Sequence, residues 1–299
     1  MNLFKIFNIE IKISYLIFFI LIFSMFFNYF IELLILIIIV LIHELAHCCL
    51  CIYYDIEVSE VKLFAFGGVA KFRGDIETDS KREIVIALAG PLSNFILSII
   101  LIFVVNIFNI EMNNIIQFCL VANLTIGIFN LIPTLPLDGG RIIRGIIGYY
   151  VGIKKATYIV VRLGYIVCIL LFGIGIYLTL VYNIEYIFLN MLSIYIFVSN
   201  RKEKNRINFI FVKNLVLKKK SLFSEGIMDA KYVIAMEFID IKKIFDEFTL
   251  EKYHIITVIN TKGKVIGSLS ESEIIDAIIN HDNNITLGYL IDIYKQRLS

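Results

Sequence analysis

The chain has 299 residues, of which 59% are hydrophobic and only 18% charged. That is more apolar surface than a water-soluble domain of this length normally buries, so composition alone places the chain in the membrane class. A net charge of +2 says little about partners, and because the basic stretches show neither a base-reading pattern nor an aromatic stacking platform, no nucleic-acid partner is expected.

Residues 1–12 read as a short amphipathic lead and residues 13–27 as a first membrane span. No small-residue cleavage site follows, so this span is expected to be retained. A second span covers residues 31–54. A polar segment of alternating character runs from 57 to 73, with Phe66-Gly67-Gly68-Val69 in its middle. Gly-Gly supplies the positive φ angles of a two-residue turn, so a hairpin turning at Gly67 and Gly68 is predicted. Spans three and four cover residues 84–108 and 113–133. They are followed by Pro133-Thr134-Leu135-Pro136-Leu137-Asp138-Gly139-Gly140-Arg141, a break rich in turn residues. Residues 163–180 and 184–198 make the fifth and sixth spans.

Orientation follows from the basic residues. The lead, the loops at 55–83 and 136–162, and everything after Asn200 hold all 28 Lys and Arg; the three intervening loops hold none. Six spans with both termini cytoplasmic satisfy that alternation. Residues 201–220 then read as a basic linker that touches anionic lipid heads. Beyond it, Ile241, Ile244, Phe245 and Phe248 have helical spacing. Residues 255–259 and 265–269 read as strands around a turn at 261–264, and a helix opens at Ser270-Glu271-Ser272-Glu273. The predicted architecture is therefore a polytopic α-helical membrane protein of about six transmembrane helices, with a small C-terminal α+β domain on the cytoplasmic side. Its parts are 1–200 in the membrane, 201–221 as linker and 222–299 as the soluble module. So small a core favours pairing with a second copy.

The second span carries His43-Glu44-Leu45-Ala46-His47. On a helix this spacing puts two imidazoles about 6 Å apart along one face, where a single zinc ion fits between them, and leaves the intervening carboxylate as a general base. Ionisable groups at membrane depth cost roughly 3 kcal/mol each, so three in five residues call for a functional reason. Two histidines leave zinc short of a third protein ligand. Asp138, a carboxylate at a helix break and at the same membrane depth, is the leading candidate, with a turn or helix-cap aspartate as the competing reading. Cys51 lies one turn beyond His47, about 9 Å from the midpoint of the two histidines on a continuous helix, too far for a short side chain. It is read, with Cys48 and Cys49, as an apolar filler. A metal transporter is the rival class, but it would spread ionisable groups over several spans and depths, whereas here they cluster at one.

The pairing of His43-Glu44-Leu45-Ala46-His47 with Asn130-Leu131-Ile132-Pro133-Thr134-Leu135-Pro136-Leu137-Asp138-Gly139 resembles the site-2 protease family of intramembrane zinc metalloproteases. Phe66-Gly67-Gly68 and Ala89-Gly90-Pro91-Leu92-Ser93-Asn94 also match segments common there. The resemblance implies one zinc ion held by His43, His47 and Asp138, with Glu44 as catalytic base. It also implies substrate contacts at Asn130 and along Phe66, Gly67 and Gly68, where a strand edge would hold an extended peptide. The six spans with one C-terminal module resembling a CBS domain are similar to the sporulation members of the family. That implies a membrane-associated precursor sigma factor as substrate and membrane inhibitor proteins as further partners, and the CBS-like module implies a homo-oligomer contact. It also implies ATP near Ser270 and Glu273. Glu273 stands where that pattern has Asp, and Ser-x-x-Glu is equally a helix capping box that needs no ligand.

Overall fold

The computed structural model describes residues 2–6, 9–64, 67–72, 79–245, 247–248, 252–280 and 285–298. The chain divides into two compact units, Met1–Asn208 and Phe209–Ser299.

The first unit is mostly helical. Helix α1 (Tyr15–Phe26) leads into α2 (Phe30–Tyr53), which is followed by α3 (Ser80–Ile107), α4 (Asn114–Asn130), α5 (Asp138–Val151) and α6 (Ile153–Val181). Helix α7 (Ile187–Glu225) begins in this unit and runs on as one helix. Among the described residues α2, α3 and α6 are long and apolar enough to cross a membrane, while α1 and α4 are shorter apolar helices. The expected sixth span falls in the first third of α7. Phe103 of α3 is 63% exposed, Ile169 of α6 72% and Leu180 of α6 81%. Contiguous apolar surface of that kind suits hydrocarbon and not water, and helices satisfy their own backbone groups there.

Four strands form a sheet in the order β1-β2-β3-β4, with β1 at Asn2–Ile6, β2 at Ile9–Ile13, β3 at Val58–Phe64 and β4 at Gly67–Phe72. The N-terminal lead is thus a strand pair. Its β2 lies parallel to β3, and Lys12 Nζ bridges Glu10 at 3.0 Å and Glu60 on the neighbouring strand. The predicted hairpin is present as β3 and β4, but its turn is displaced. Phe64 pairs with Gly67 and Leu63 with Gly68, so the connection is residues 65–66, outside the described residues. Among the described residues, the positive-φ glycines are Gly152, Gly226 and Gly263. Gly67 and Gly68 are strand residues, and at Gly68 the absent side chain allows a close approach of Glu44.

Residues 138–151, expected as part of a loop, form the amphipathic helix α5. Four glycines depress its intrinsic propensity, but tertiary packing overrides that. Gly139, Gly140, Gly145 and Gly148 are all buried, together with Arg144. Arg144 Nε donates to Glu83 Oε1 of α3 at 2.8 Å, Nη2 donates to the same oxygen, and Nη1 lies 3.8 Å from Glu203 of α7. Both members of the Arg144–Glu83 pair are almost fully buried. Replacing Arg144 by Met strands a buried carboxylate, and such a loss costs about 3–5 kcal/mol. We expect a large fall in thermal stability for Arg144→Met, partly recovered in the double variant with Glu83→Gln. Equal melting temperatures for the two variants would contradict this.

The second unit holds a three-stranded sheet, β5 (Ala230–Met236), β6 (Tyr253–Ile259) and β7 (Val265–Ser270), in that order. β5 runs parallel to β6, and β6 antiparallel to β7. Helices α8 (Ile241–Phe245), α9 (Glu271–Asn280) and α10 (Leu287–Leu298) complete it, and Ile244, Ile256, Val258, Leu269, Ile274 and Leu287 fill its core. Phe211 and Leu215 belong to the same core. Part of the stretch read as a solvated linker is therefore a helix with an inward stripe, at 211, 215 and 218, which the run of lysines obscures. Lys218 is itself buried, donating to Glu271, which also bonds His254 Nδ1 at 2.9 Å. Burial depresses the Lys218 pKa, with Glu271 opposing the shift.

Candidate active site

His43 and His47 sit one turn apart on α2 and both face inward. Asp138 is the first residue of α5, and both Leu137, the residue before it, and Asp138 are buried or half-buried at the helix start. The cap position is Leu137, which makes no side-chain capping bond. The Asp138 carboxylate instead meets the histidines: Oδ2 is 3.1 Å from His43 Nε2 and 3.3 Å from His47 Nε2, and the two Nε2 atoms are 3.2 Å apart. All three side chains are buried.

These separations test the fit to a metal. Ligand atoms 2.0–2.1 Å from a tetrahedral zinc lie roughly 3.3 Å from one another. The three edges of the triangle, 3.1 to 3.3 Å, match one face of such a tetrahedron. Two imidazoles and a carboxylate are also a donor set that suits zinc. Gly90 of α3 keeps the space in front of the triangle clear. A Cβ built there would lie 2.5 Å from His43 Nε2 and 2.6 Å from His43 Cε1. The site therefore fits a single zinc ion, and it depends on a glycine that sequence spacing gave no reason to select.

Glu44 points elsewhere. It is half-buried, and among the described residues no hydrogen bond or ion pair engages its carboxylate. It lies under β4, where a Cβ on Gly68 would fall 2.6 Å from Glu44 Cδ and 2.8 Å from Oε1. This is the close approach that Gly68 permits. Among the described residues β4 is the last strand of its sheet, so no described strand pairs with its outer edge.

Behind the triangle, His43 Nδ1 is 3.0 Å from Asn94 Oδ1, and His47 Nδ1 is 2.7 Å from the main-chain oxygen of Ile86. Both partners lie on α3. Outer partners of this kind orient imidazole ligands. Asn94 carries no signal in periodicity or charge and stands out in sequence only through its family segment.

Asn130 ends α4 and its amide nitrogen donates to Ile126 O at 3.0 Å. Phe66 lies outside the described residues, and Gly67 pairs with Phe64 at the end of the hairpin. Cys51 is buried and is not among the ligand group, and Cys48 packs with Val58 and Val61. In the second unit, Glu273 Oε2 accepts from both Ser270 N and Ser270 Oγ at 2.7 Å, and Glu273 N donates back to Ser270 Oγ at 3.3 Å. That is a reciprocal capping box at the start of α9.

Residues 31–110 and 105–171 match the model of peptidase family M50. A zinc metalloprotease of Methanocaldococcus jannaschii is 29% identical over 76% of this chain, and the chain spans 63% of that protein's length. The stage IV sporulation protein FB of Bacillus subtilis is 27% identical over 43% of this chain and 44% of its own. Among solved structures, the site-2 protease of Methanocaldococcus jannaschii has a TM-score of 0.54 and 30% identity, covering 68% of this chain and 94% of that one. With the ligand triangle inside the matched residues and nearly the whole of a solved site-2 protease covered, the chain belongs to peptidase family M50, the site-2 proteases.

Proposed function

We propose that this protein is an intramembrane zinc endopeptidase that hydrolyses a peptide bond in a membrane-associated precursor protein. The observation that carries the reading is Glu44: a carboxylate that makes no hydrogen bond or ion pair among the described residues, next in sequence to His43, close against Gly68 of β4 and beside the ligand triangle. His43, His47 and Asp138 would hold the metal. Zinc held there would supply Lewis-acid chemistry, lowering the pKa of a bound water towards about 7 and polarising a peptide carbonyl. Glu44 accepts the proton of the attacking water and returns it to the departing amine. The outer edge of β4 holds the substrate as an extended strand by main-chain hydrogen bonds, which exposes a bond that a helix would bury. Asn130, Gly67 and Gly68, with Phe66, are the proposed substrate contacts.

The finer reading is six spans with both termini cytoplasmic, which the distribution of basic residues supports. The similarity to a sporulation protein supports a precursor sigma factor as substrate; another regulated-proteolysis pathway is the alternative. The C-terminal module is proposed as a CBS-like regulatory and pairing domain. Ser270 and Glu273 are engaged with each other in the capping box, so if that proposal holds ATP should bind the native protein and raise its melting temperature, and Ser270→Ala and Glu273→Ala should weaken that binding.

Co-expression of the chain with a tagged precursor sigma factor tests the reading. A shortened product is expected with the native protein and not with Glu44→Gln; product from both would assign the cut to a host protease. Two glycine variants separate the parts of the site. Gly90→Ala should lose both metal and cleavage, because its methyl enters the ligand triangle. Gly68→Ala should keep metal and lose cleavage, because its methyl displaces only Glu44. Metal content measured alongside cleavage reads the difference, and matching behaviour of the two variants would contradict the geometry.

A further inference from the structure

Asn94 is fully buried on α3, between His43 of α2 and the backbone of α4. Its Oδ1 is 3.0 Å from His43 Nδ1, and its Nδ2 is 3.4 Å from the main-chain oxygen of Asn123. The two ends of an amide, and the two tautomers of an imidazole, are each decided by their neighbours. Here one atom decides both. A main-chain carbonyl can only accept, so the amide end facing Asn123 O is the NH2 group and the end facing His43 is the oxygen. An amide oxygen can only accept in turn, so His43 carries its proton on Nδ1 and presents a free lone pair at Nε2. That Nε2 is the atom 3.1 Å from Asp138 Oδ2 and 3.2 Å from His47 Nε2.

We infer that Asn94 is a positioning residue that sets the tautomer of His43 and, through it, the affinity of the site for zinc. The two ligands differ in how this is achieved. His47 donates from Nδ1 to the main-chain oxygen of Ile86 at 2.7 Å, a partner that no substitution removes. His43 relies on a side chain. The side chain is fully enclosed. A Cβ on Gly127 of α4 would lie 3.3 Å from Asn94 Cβ, so the two helices are in close contact there. Ser93 Oγ donates to Gly90 O at 2.7 Å and lies 3.4 Å from Asn94 Oδ1. Asn123 contributes only its backbone carbonyl; its own amide nitrogen donates to Cys119 O at 3.0 Å.

This inference rests on the metal-site reading above, and its test separates the two. Zinc affinity is measured by chelator competition on the purified full chain, for the native protein and for Asn94→Leu, Asn94→Asp and Asn123→Ala. Asn94→Leu removes the acceptor and is expected to weaken zinc binding by about 10–100-fold, as loss of an outer partner does. Asn94→Asp still accepts from Nδ1 and should stay near the native affinity. Asn123→Ala, equally buried in the same layer, keeps its carbonyl and should do the same. Thermal unfolding of the metal-free proteins reads packing damage separately. If Asn94→Leu does not fold, Asn94→Ala loses the same acceptor without added volume and carries the same expectation. Native affinity in the Leu or Ala variant overturns the inference, and so does an equal loss in Asn94→Asp or Asn123→Ala. A native protein that binds no zinc would overturn the metal-site reading instead.

Discussion

Glu44→Gln will retain its metal and lose cleavage. The substitution keeps the size and shape of the side chain, so neither the packing under Gly68 nor the ligand triangle of His43, His47 and Asp138 changes. What it removes is the proton-transfer role assigned to the carboxylate, acceptance from water and return to the departing amine. General-base catalysis is worth about 10²- to 10⁴-fold, and the residual rate should fall by at least the lower figure. Metal content by mass spectrometry must match the native protein. A variant that cleaves normally would show that Glu44 is not the base, and one that loses metal would show that Glu44 helps to hold it.

The second large effect separates the two residues that sequence offered as a third ligand. Asp138→Asn replaces the anionic oxygen that lies 3.1 and 3.3 Å from the two histidines. It should reduce metal affinity by more than about 100-fold, beyond what loss of an outer partner costs, and abolish cleavage in parallel. Cys51→Ala should keep both. Cys51 is fully buried but outside the ligand group, so its loss removes a little packing, on the order of 1 kcal/mol. Metal content of the two purified variants reads the outcome. The opposite pattern would mean that α2 is broken after His47, contrary to its unbroken course from Phe30 to Tyr53.

The site was legible in sequence where its chemistry is compressed into a few neighbouring residues. His43, Glu44 and His47 declare themselves by helical spacing within an apolar run, and Asp138 by its place at a break of the same depth. The long apolar helices were legible too, because hydrophobic run length leaves little choice. Helix α2 was expected over 31–54 and is found at Phe30–Tyr53. What was not legible depends on contacts between distant segments. Gly68 and Gly90 matter because of what a Cβ would strike, and no local pattern records that. The Gly-Gly pair suggested a turn by conformational preference, yet it lies in a strand, where Gly68 gives Glu44 room. Helix α5 was hidden by four glycines whose poor propensity is offset by close packing, and its Arg144–Glu83 pair joins residues 61 apart in sequence. Asn94 looks like any buried polar residue until His43 is set beside it. In the C-terminal unit, the lysines around Lys218 suggested solvent, while the stripe of Phe211 and Leu215 places that helix against a core.

The most direct test of the account is cleavage by the purified protein, reconstituted with a membrane-associated precursor, before and after removal of zinc. A single cut near the membrane surface or within it is expected, mapped by mass spectrometry of the product. The cut should be lost on chelation and return when zinc is restored to one ion per chain. Cleavage that persists after the metal has been removed from His43, His47 and Asp138 would contradict it.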